Sequence, residues 1–270
     1  MSQPQSSLLQ VLDLVPFGPE VHTPQFFALR LSRPAWEQWR PGQFVMLRPR
    51  SFGIELPWAR PFGICHLTEH HMVCFFQVVG RGTARMAELK TGDTVQAWGP
   101  LGNGFAMEPE TPTLLLAGGM GIAPFIGYVH EHPKPWNLSM LFGHRAHRRS
   151  YPLDSINERI TVDSLHETVP GELDNFIYSI RERMSEYAEQ NGLVLACGPK
   201  PFLRTVQNFA AELKVRTQLS LESRMACGVG ACLGCVVKTT EEWPVPEKRN
   251  WPVQTCTHGP VFWAQHINLD

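Results

Sequence analysis

Four cysteines near the end of the chain have the types and spacing for redox chemistry. Cys227, Cys232 and Cys235 follow one another with four and then two residues between them, and Cys256 comes after twenty more. Three thiolates on one loop plus a remote fourth is the ligand pattern of a plant-type [2Fe–2S] cluster. Such a loop must fold tightly and turn its backbone amides towards sulfur. Gly228, Gly230 and Gly234 give it that freedom. Structural zinc also accepts four thiolates, but its ligands usually come as two matched pairs, two to four residues apart. Cys65, Cys74 and Cys197 lie on apolar runs and read as core fillers. An odd total of seven, with no secretory leader, argues against a disulfide framework.

Two further stretches suit phosphate. Arg60-Pro61-Phe62-Gly63 reads as a strand, and Gly80-Arg81-Gly82-Thr83 some twenty residues on reads as a turn opening a helix. A helix start offers free amides and a positive dipole end, and a neighbouring arginine can hold an anion in bidentate fashion. Phe62 could lie against a flat ring. Taken singly, the arginine also fits a surface ion pair and the glycines an ordinary turn. The second stretch, Leu114 to Pro124, is a strand, a turn of Gly118, Gly119 and Gly121, and a helix start. Glycines there let backbone approach a pyrophosphate. The spaced Rossmann fingerprint is absent, and plain strand–turn–helix packing is the alternative. Cys197-Gly198-Pro199 ends another apolar strand, where ligands bind in open α/β sheets. Arg145, Arg148 and Arg149 follow the second strand of this region. They fit either a 2′-phosphate or a solvated loop, so NAD and NADP both stay open.

These residues need elements to hold them. Residues 1–108 show short apolar runs broken by Pro and Gly, among them FFALRLS, RPFGICHL and MVCFFQVV, which predicts a small antiparallel β-barrel. Pro41-Gly42, Gly92-Asp93 and Gly99-Pro100 are its expected corners. After a linker at Glu108–Pro112, residues 109–218 alternate strands and helices, the mark of a parallel α/β sheet. Residues 219–270 form a Cys- and Gly-rich tail of little periodicity. The expected fold is therefore multidomain: barrel, nucleotide-binding α/β domain and cluster loop.

Bulk composition narrows the functional class. The 270 residues carry a net charge of −1 and are 43% hydrophobic, which speaks against a nucleic-acid binder and against disorder. The most membrane-like stretch, Thr113 to Val129, holds four glycines and a proline and is shorter than the ~20 residues of a spanning helix. No secretory leader is read at the N-terminus, so a cytoplasmic protein is expected.

The order Arg-Pro-Phe, Gly-x-Gly-Thr, Gly-Gly-x-Gly-Ile-Ala-Pro and Cys-Gly-Pro resembles the ferredoxin reductase superfamily. The tail from Leu221 to Thr239, with Cys256-Thr-His-Gly-Pro-Val-Phe, looks like one branch of it, the electron-transfer subunits of NAD-dependent dihydroorotate dehydrogenase. That resemblance implies FAD at Arg60, Pro61, Phe62 and Gly63, with its pyrophosphate at Gly82 and Thr83. It places the strand Phe75-Phe76-Gln77 along the cofactor. It implies NAD(H) as substrate and a [2Fe–2S] cluster on the four tail cysteines. It also implies a flavin-bearing catalytic subunit that oxidises dihydroorotate to orotate, assembled with this chain as a heterotetramer. Nicotinamide exchanges electron pairs and a cluster single electrons, so the flavin belongs between them. A hydrogenase-type or transhydrogenase-type partner is the alternative. Gly63 departs from the Ser or Thr usual in the family, and the Cys235–Cys256 loop is long. Its two tryptophans and three prolines predict an ordered surface flap.

Overall fold

The computed structural model describes residues 5–19, 25–169 and 171–269. The first four residues, part of the stretch read as leaderless, lie outside them. The strands β1 (Gln5–Phe17), β2 (Phe26–Ser32), β3 (Phe44–Pro49), β4 (Arg60–Leu67) and β5 (His71–Gln77) come first. Then follow the short helix α1 (Arg81–Met86) and β6 (Thr94–Leu101). The six strands close into an antiparallel barrel in the order β1-β2-β5-β4-β3-β6. Alternation along each strand explains the closure. Leu29 and Leu31, Val45 and Leu47, and Met72, Cys74 and Phe76 are all buried in one core. Each such side chain contributes roughly 1.5–3 kcal/mol on burial. Gly42 and Gly92 turn corners with φ of +102° and +92°. Gly99-Pro100 instead falls inside β6. Gly99 is needed there for packing, because a Cβ would lie 3.1 Å from the Trp36 ring.

The linker at residues 108–112 is pinned by Glu108, whose carboxylate receives two hydrogen bonds from Arg216 at 2.6 and 2.9 Å. Beyond it come β7 (Thr113–Gly118), a 3₁₀ turn at Gly119–Ile122, α2 (Ala123–Glu131) and β8 (Leu138–His144). Next are α3 (Asp154–Asn157), β9 (Thr161–His166), α4 (Glu172–Glu189), β10 (Leu193–Cys197), α5 (Lys200–Leu213) and β11 (Arg216–Ser220). The membrane-like stretch is thus a strand, a turn and a helix. Among the described residues no helix is long and apolar enough to cross a membrane.

The tail holds β12 (Val236–Thr239), β13 (Pro252–Gln254), α6 (Thr255–His258), β14 (Val261–Trp263) and β15 (Ile267–Asn268). The central sheet runs β14-β11-β10-β7-β8-β9, parallel except for β14. The chain builds outward from β7 through β8 to β9, then returns to add β10 and β11 on the other side. The switch point lies between β7 and β10, where such sheets open a ligand crevice at their carboxyl ends. A separate small sheet, β13-β12-β15, organises the tail. The long loop is ordered, but Trp243 within it is buried against Phe262 and His266 rather than lying on the surface. Trp251 is exposed.

Barrel and central sheet meet through α2. Gly127 lets the helix approach closely, since a Cβ there would be 2.5 Å from Trp39 and 2.6 Å from the Cys65 carbonyl. The Tyr128 hydroxyl donates to the Ala106 carbonyl at 2.9 Å across the same seam.

Candidate functional site

The first corner of the site joins β4 to α1. The Arg60 side chain lies over Gly82, where a Cβ would come within 2.5 Å of its Nε. Arg60 is steadied by a 2.6 Å bond from Nη1 to the Trp58 carbonyl and by the Phe52 ring, 5.6 Å away. Thr83 shapes the turn: its Oγ1 accepts from the amides of Val79 (2.9 Å) and Gly80 (3.2 Å) and donates to the Gly80 carbonyl. A guanidinium and the start of a helix therefore converge, a combination suited to a pyrophosphate. Pro61 and Gly63 sit on the same strand, and the space beside Gly63 is open to 4 Å. Phe62 and Phe76 pack 5.7 Å apart at the barrel core, while Phe75 packs on Phe17 and Phe26 at the seam with the central sheet. Gln77 is half-buried at the end of β5.

The second corner is the switch point. Gly118, Gly121, Cys197, Gly198 and Pro199, far apart in sequence, meet here. A Cβ on Gly121 would be 1.9 Å from the Cys197 carbonyl oxygen, and one on Gly198 would be 3.1 Å from the Gly118 Cα. Pro199 Cδ lies 3.2 Å from the same position on Gly118. Gly119 takes a left-handed φ of +52° with nothing within 4 Å of its Cβ position. Two residues missed by sequence reasoning line this crevice. Phe202 covers Gly118 and Gly198, and Phe176, stacked on it at 5.9 Å, covers Gly143. They lie on different helices, and only the tertiary fold pairs them. Burial raises the Cys197 thiol far above its ordinary range, so it is a neutral packing group. Cys65 is pushed up to about 12 and Cys74 is raised well above its ordinary value, also by burial.

The third corner is the cysteine loop. Cys227 and Cys232 form one pair with sulfurs 3.4 Å apart, and the neighbouring thiols of Cys235 and Cys256 form a second. Gly228 and Gly230 take φ of +73° and +83° and turn amides onto sulfur. The Val229 amide donates to Cys227 Sγ at 3.5 Å, Gly230 to Cys256 Sγ at 3.2 Å, and Cys232 to Cys227 Sγ at 3.4 Å. Backbone amides, Gly234 first, bring the exposed Cys232 thiol down to about 7, while burial pushes Cys256 up to about 12. Cys232 is thus the readier of these two thiols to ligate at neutral pH, while Cys256 needs a cation's charge to lose its proton. Two thiol pairs under amide donors fit the two irons of a [2Fe–2S] cluster. The loop is seated on the barrel: Trp98 Nε1 donates to the Cys227 carbonyl at 3.0 Å, and Gly228 abuts Met46 and Leu101.

The fold and these three corners define a ferredoxin-reductase-type flavoprotein, an FAD- and [2Fe–2S]-bearing oxidoreductase subunit. Solved structures share the fold. A structure of NADH-dependent reduced ferredoxin-NADP oxidoreductase, described for flavin-based electron bifurcation, superposes with a TM-score of 0.80 at 22% identity, covering 98% of this chain and 91% of that one. Ferredoxin-NADP+ reductase from Plasmodium falciparum with 2′P-AMP gives 0.66 at 13% identity, covering 80% and 95%. Residues 222–268 match the iron-sulfur cluster binding domain of dihydroorotate dehydrogenase B. The dihydroorotate dehydrogenase B (NAD(+)) electron transfer subunit of Caldanaerobacter subterraneus subsp. tengcongensis is 33% identical over 84% of this chain and 86% of its own length. That of Desulforamulus reducens is 32% identical over 94% of each. The chain belongs to the family of dihydroorotate dehydrogenase B electron transfer subunits.

Proposed function

We propose that this chain relays electrons between a catalytic subunit's flavin and a nicotinamide dinucleotide, serving the oxidation of dihydroorotate to orotate in pyrimidine synthesis. The catalytic subunit and this chain pair as a heterotetramer in this reading. When bound, FAD supplies the exchange between single electrons and hydride. Arg60, Gly82 and Thr83 hold its pyrophosphate, and Pro61, Phe62, Gly63 and Gln77 form the wall beside it, with the buried Phe75 and Phe76 packing behind that wall. Gly118, Gly119, Gly121, Cys197, Gly198 and Pro199 admit the dinucleotide at the switch point. Cys227, Cys232, Cys235 and Cys256 hold the cluster. No side chain needs to act as a general base, because hydride transfer asks the protein for position and electrostatics.

The observation that carries this reading is the seating of the cysteine loop. Its buried thiol pair shares a core with Met46 and Leu101 of the barrel, while Cys232 is exposed. One end of the loop therefore faces the flavin domain and the other faces outward. The test is Cys232→Ser in the complex. Flavin bleaching by NADH is expected to persist while dihydroorotate-dependent reduction of NAD+ is lost. Full retention of that reaction would refute the relay. Absence of dihydroorotate activity in the intact complex, with flavin bleaching retained, would point to a hydrogenase-type or transhydrogenase-type partner instead.

A further inference from the structure

One rung of the barrel joins the flavin corner to the cysteine loop. Pro61 of β4 stands opposite Met46 of β3, and Met46 stands opposite Trp98 of β6. Neighbouring strands lie about 4.8 Å apart, so the rung from Pro61 to Trp98 spans only about 10 Å. Val45 and Leu47 belong to the barrel core. By alternation Met46 turns the other way, into a separate apolar cluster with Phe44, Ala59, Leu101 and the ligand cysteines Cys235 and Cys256. Half-buried Trp98 packs against that cluster.

Strand β6 and its exit also hold the loop by hydrogen bonds. At the first ligand, Trp98 Nε1 donates to the Cys227 carbonyl at 3.0 Å. Gly228, next in the chain, is pressed so close that a Cβ would lie 2.6 Å from Met46 Cγ. Beyond the fourth ligand, Asn103 Nδ2 donates to the carbonyls of Val261 at 2.8 Å and His258 at 3.3 Å. Its Oδ1 accepts from the Val261 amide at 2.9 Å. The Asn103 backbone amide adds a bond to the Gly259 carbonyl at 2.7 Å. Within the loop, the Thr255 amide donates to the Cys235 carbonyl at 2.6 Å and ties the third ligand to the fourth. Both ends of the ligand set thus take their position from one barrel strand and its exit. None of the bonds from Trp98 or Asn103 uses a thiol, so all four ligands survive their removal.

We propose that Trp98 and Asn103 are positioning residues for the one-electron step between flavin and cluster, holding the cysteine loop against the rung that ends at the flavin wall. The proposal rests on the relay reading above. In that step, run from NADH, the flavin is oxidised by one electron and the cluster is reduced by one. No bond forms between the two groups, so the rate depends on how far apart the chain holds them.

The test uses the holoprotein with FAD and cluster in place. Trp98→Phe keeps the ring and loses only the donor. Asn103→Asp keeps the shape and the acceptor and loses both side-chain donors. Each protein is mixed anaerobically with NADH in a stopped flow, and the flavin and cluster bands are followed separately. The EPR spectrum of the reduced cluster, the iron content and Tm are recorded beside them. Flavin reduction is expected to stay within about twofold of the unsubstituted protein, while cluster reduction slows about tenfold per cluster and the EPR line shape changes. Cluster reduction at the native rate with a native EPR signal in both variants would overturn the proposal. So would a loss of iron or of Tm with a native rate in the cluster that remains, since both residues would then be scaffold and no more. An unsubstituted protein that carries no cluster, or whose flavin NADH reduces while its cluster never responds, would overturn the relay reading and this proposal with it.

Discussion

Replacing Gly121 by alanine tests the switch point most directly. The added Cβ would stand 1.9 Å from the Cys197 oxygen, 2.3 Å from the Cys197 carbonyl carbon and 2.7 Å from the Gly198 nitrogen. All three are backbone atoms at the end of a buried strand, so no side chain can swing away. An ordinary carbon contact is about 3.5 Å, so β7 and β10 must part at this end by about 1.6 Å. Overpacking of this kind costs about 1–3 kcal/mol, and the upper end applies where only backbone can yield. A loss of about 3 kcal/mol lowers Tm by roughly 6–12 °C for a unit of this size. A displacement of about 1 Å in a positioning element costs about a hundredfold in rate. The assay pairs a thermal melt with NADH-dependent ferricyanide reduction, and Gly119→Ala serves as the control for the melt alone. Gly119 has a left-handed φ but open space around it, so that variant should lose only the ~1–2 kcal/mol of backbone strain. A Gly121→Ala protein with native Tm and native kcat/KM would refute the close packing of the two glycine turns.

Gly82→Ala pushes against the Arg60 guanidinium rather than backbone, so the fold should survive while FAD is retained about tenfold more weakly; fluorescence titration with FAD reads this, and unchanged affinity would free Arg60 from a role in binding. Gly63→Ser adds a hydroxyl in open space and should change stability by less than about 0.5 kcal/mol. A shifted flavin potential or visible band would place that hydroxyl on the ring, and an unaltered one would remove Gly63 from the flavin wall. Hydrogen bonds from Arg216 hold the Glu108 carboxyl below its ordinary value of 4.5. Because the folded value is the lower one, this pair's stabilisation is present above about pH 4.5 and is lost as pH falls further. Glu108→Gln should therefore flatten the acid limb of a Tm–pH curve, and an unchanged limb would show that the linker is pinned by other contacts.

Much of this was legible because the chemistry is concentrated in short runs. FFALRLS and RPFGICHL became β2 and β4 over the same residues, since alternation and β-branched or aromatic content act locally. The cysteine spacing likewise named its cofactor before any fold was known. The tail's strands escaped notice because they are two to four residues long and paired across distant segments. So short a run carries no periodicity to detect. Gly99-Pro100 looked like a corner because the sequence could not show Trp36 filling the space beside it. Phe176 and Phe202 lie on two different helices and become a pair only when α4 and α5 pack side by side.

The last strand of the central sheet gives the tail a second duty. β14 is contributed from beyond Cys256 and pairs with β11, Ser220 opposite Val261. The cluster segment is therefore an excursion that leaves one strand and returns to lie against it. A truncation after Ser220, made to obtain a clusterless flavoprotein, would strip that cover and leave β11 as a bare edge strand open to intermolecular pairing. A minimal flavoprotein should instead splice residue 220 to residues 259–269 by a short turn, keeping the guard strand while discarding the iron.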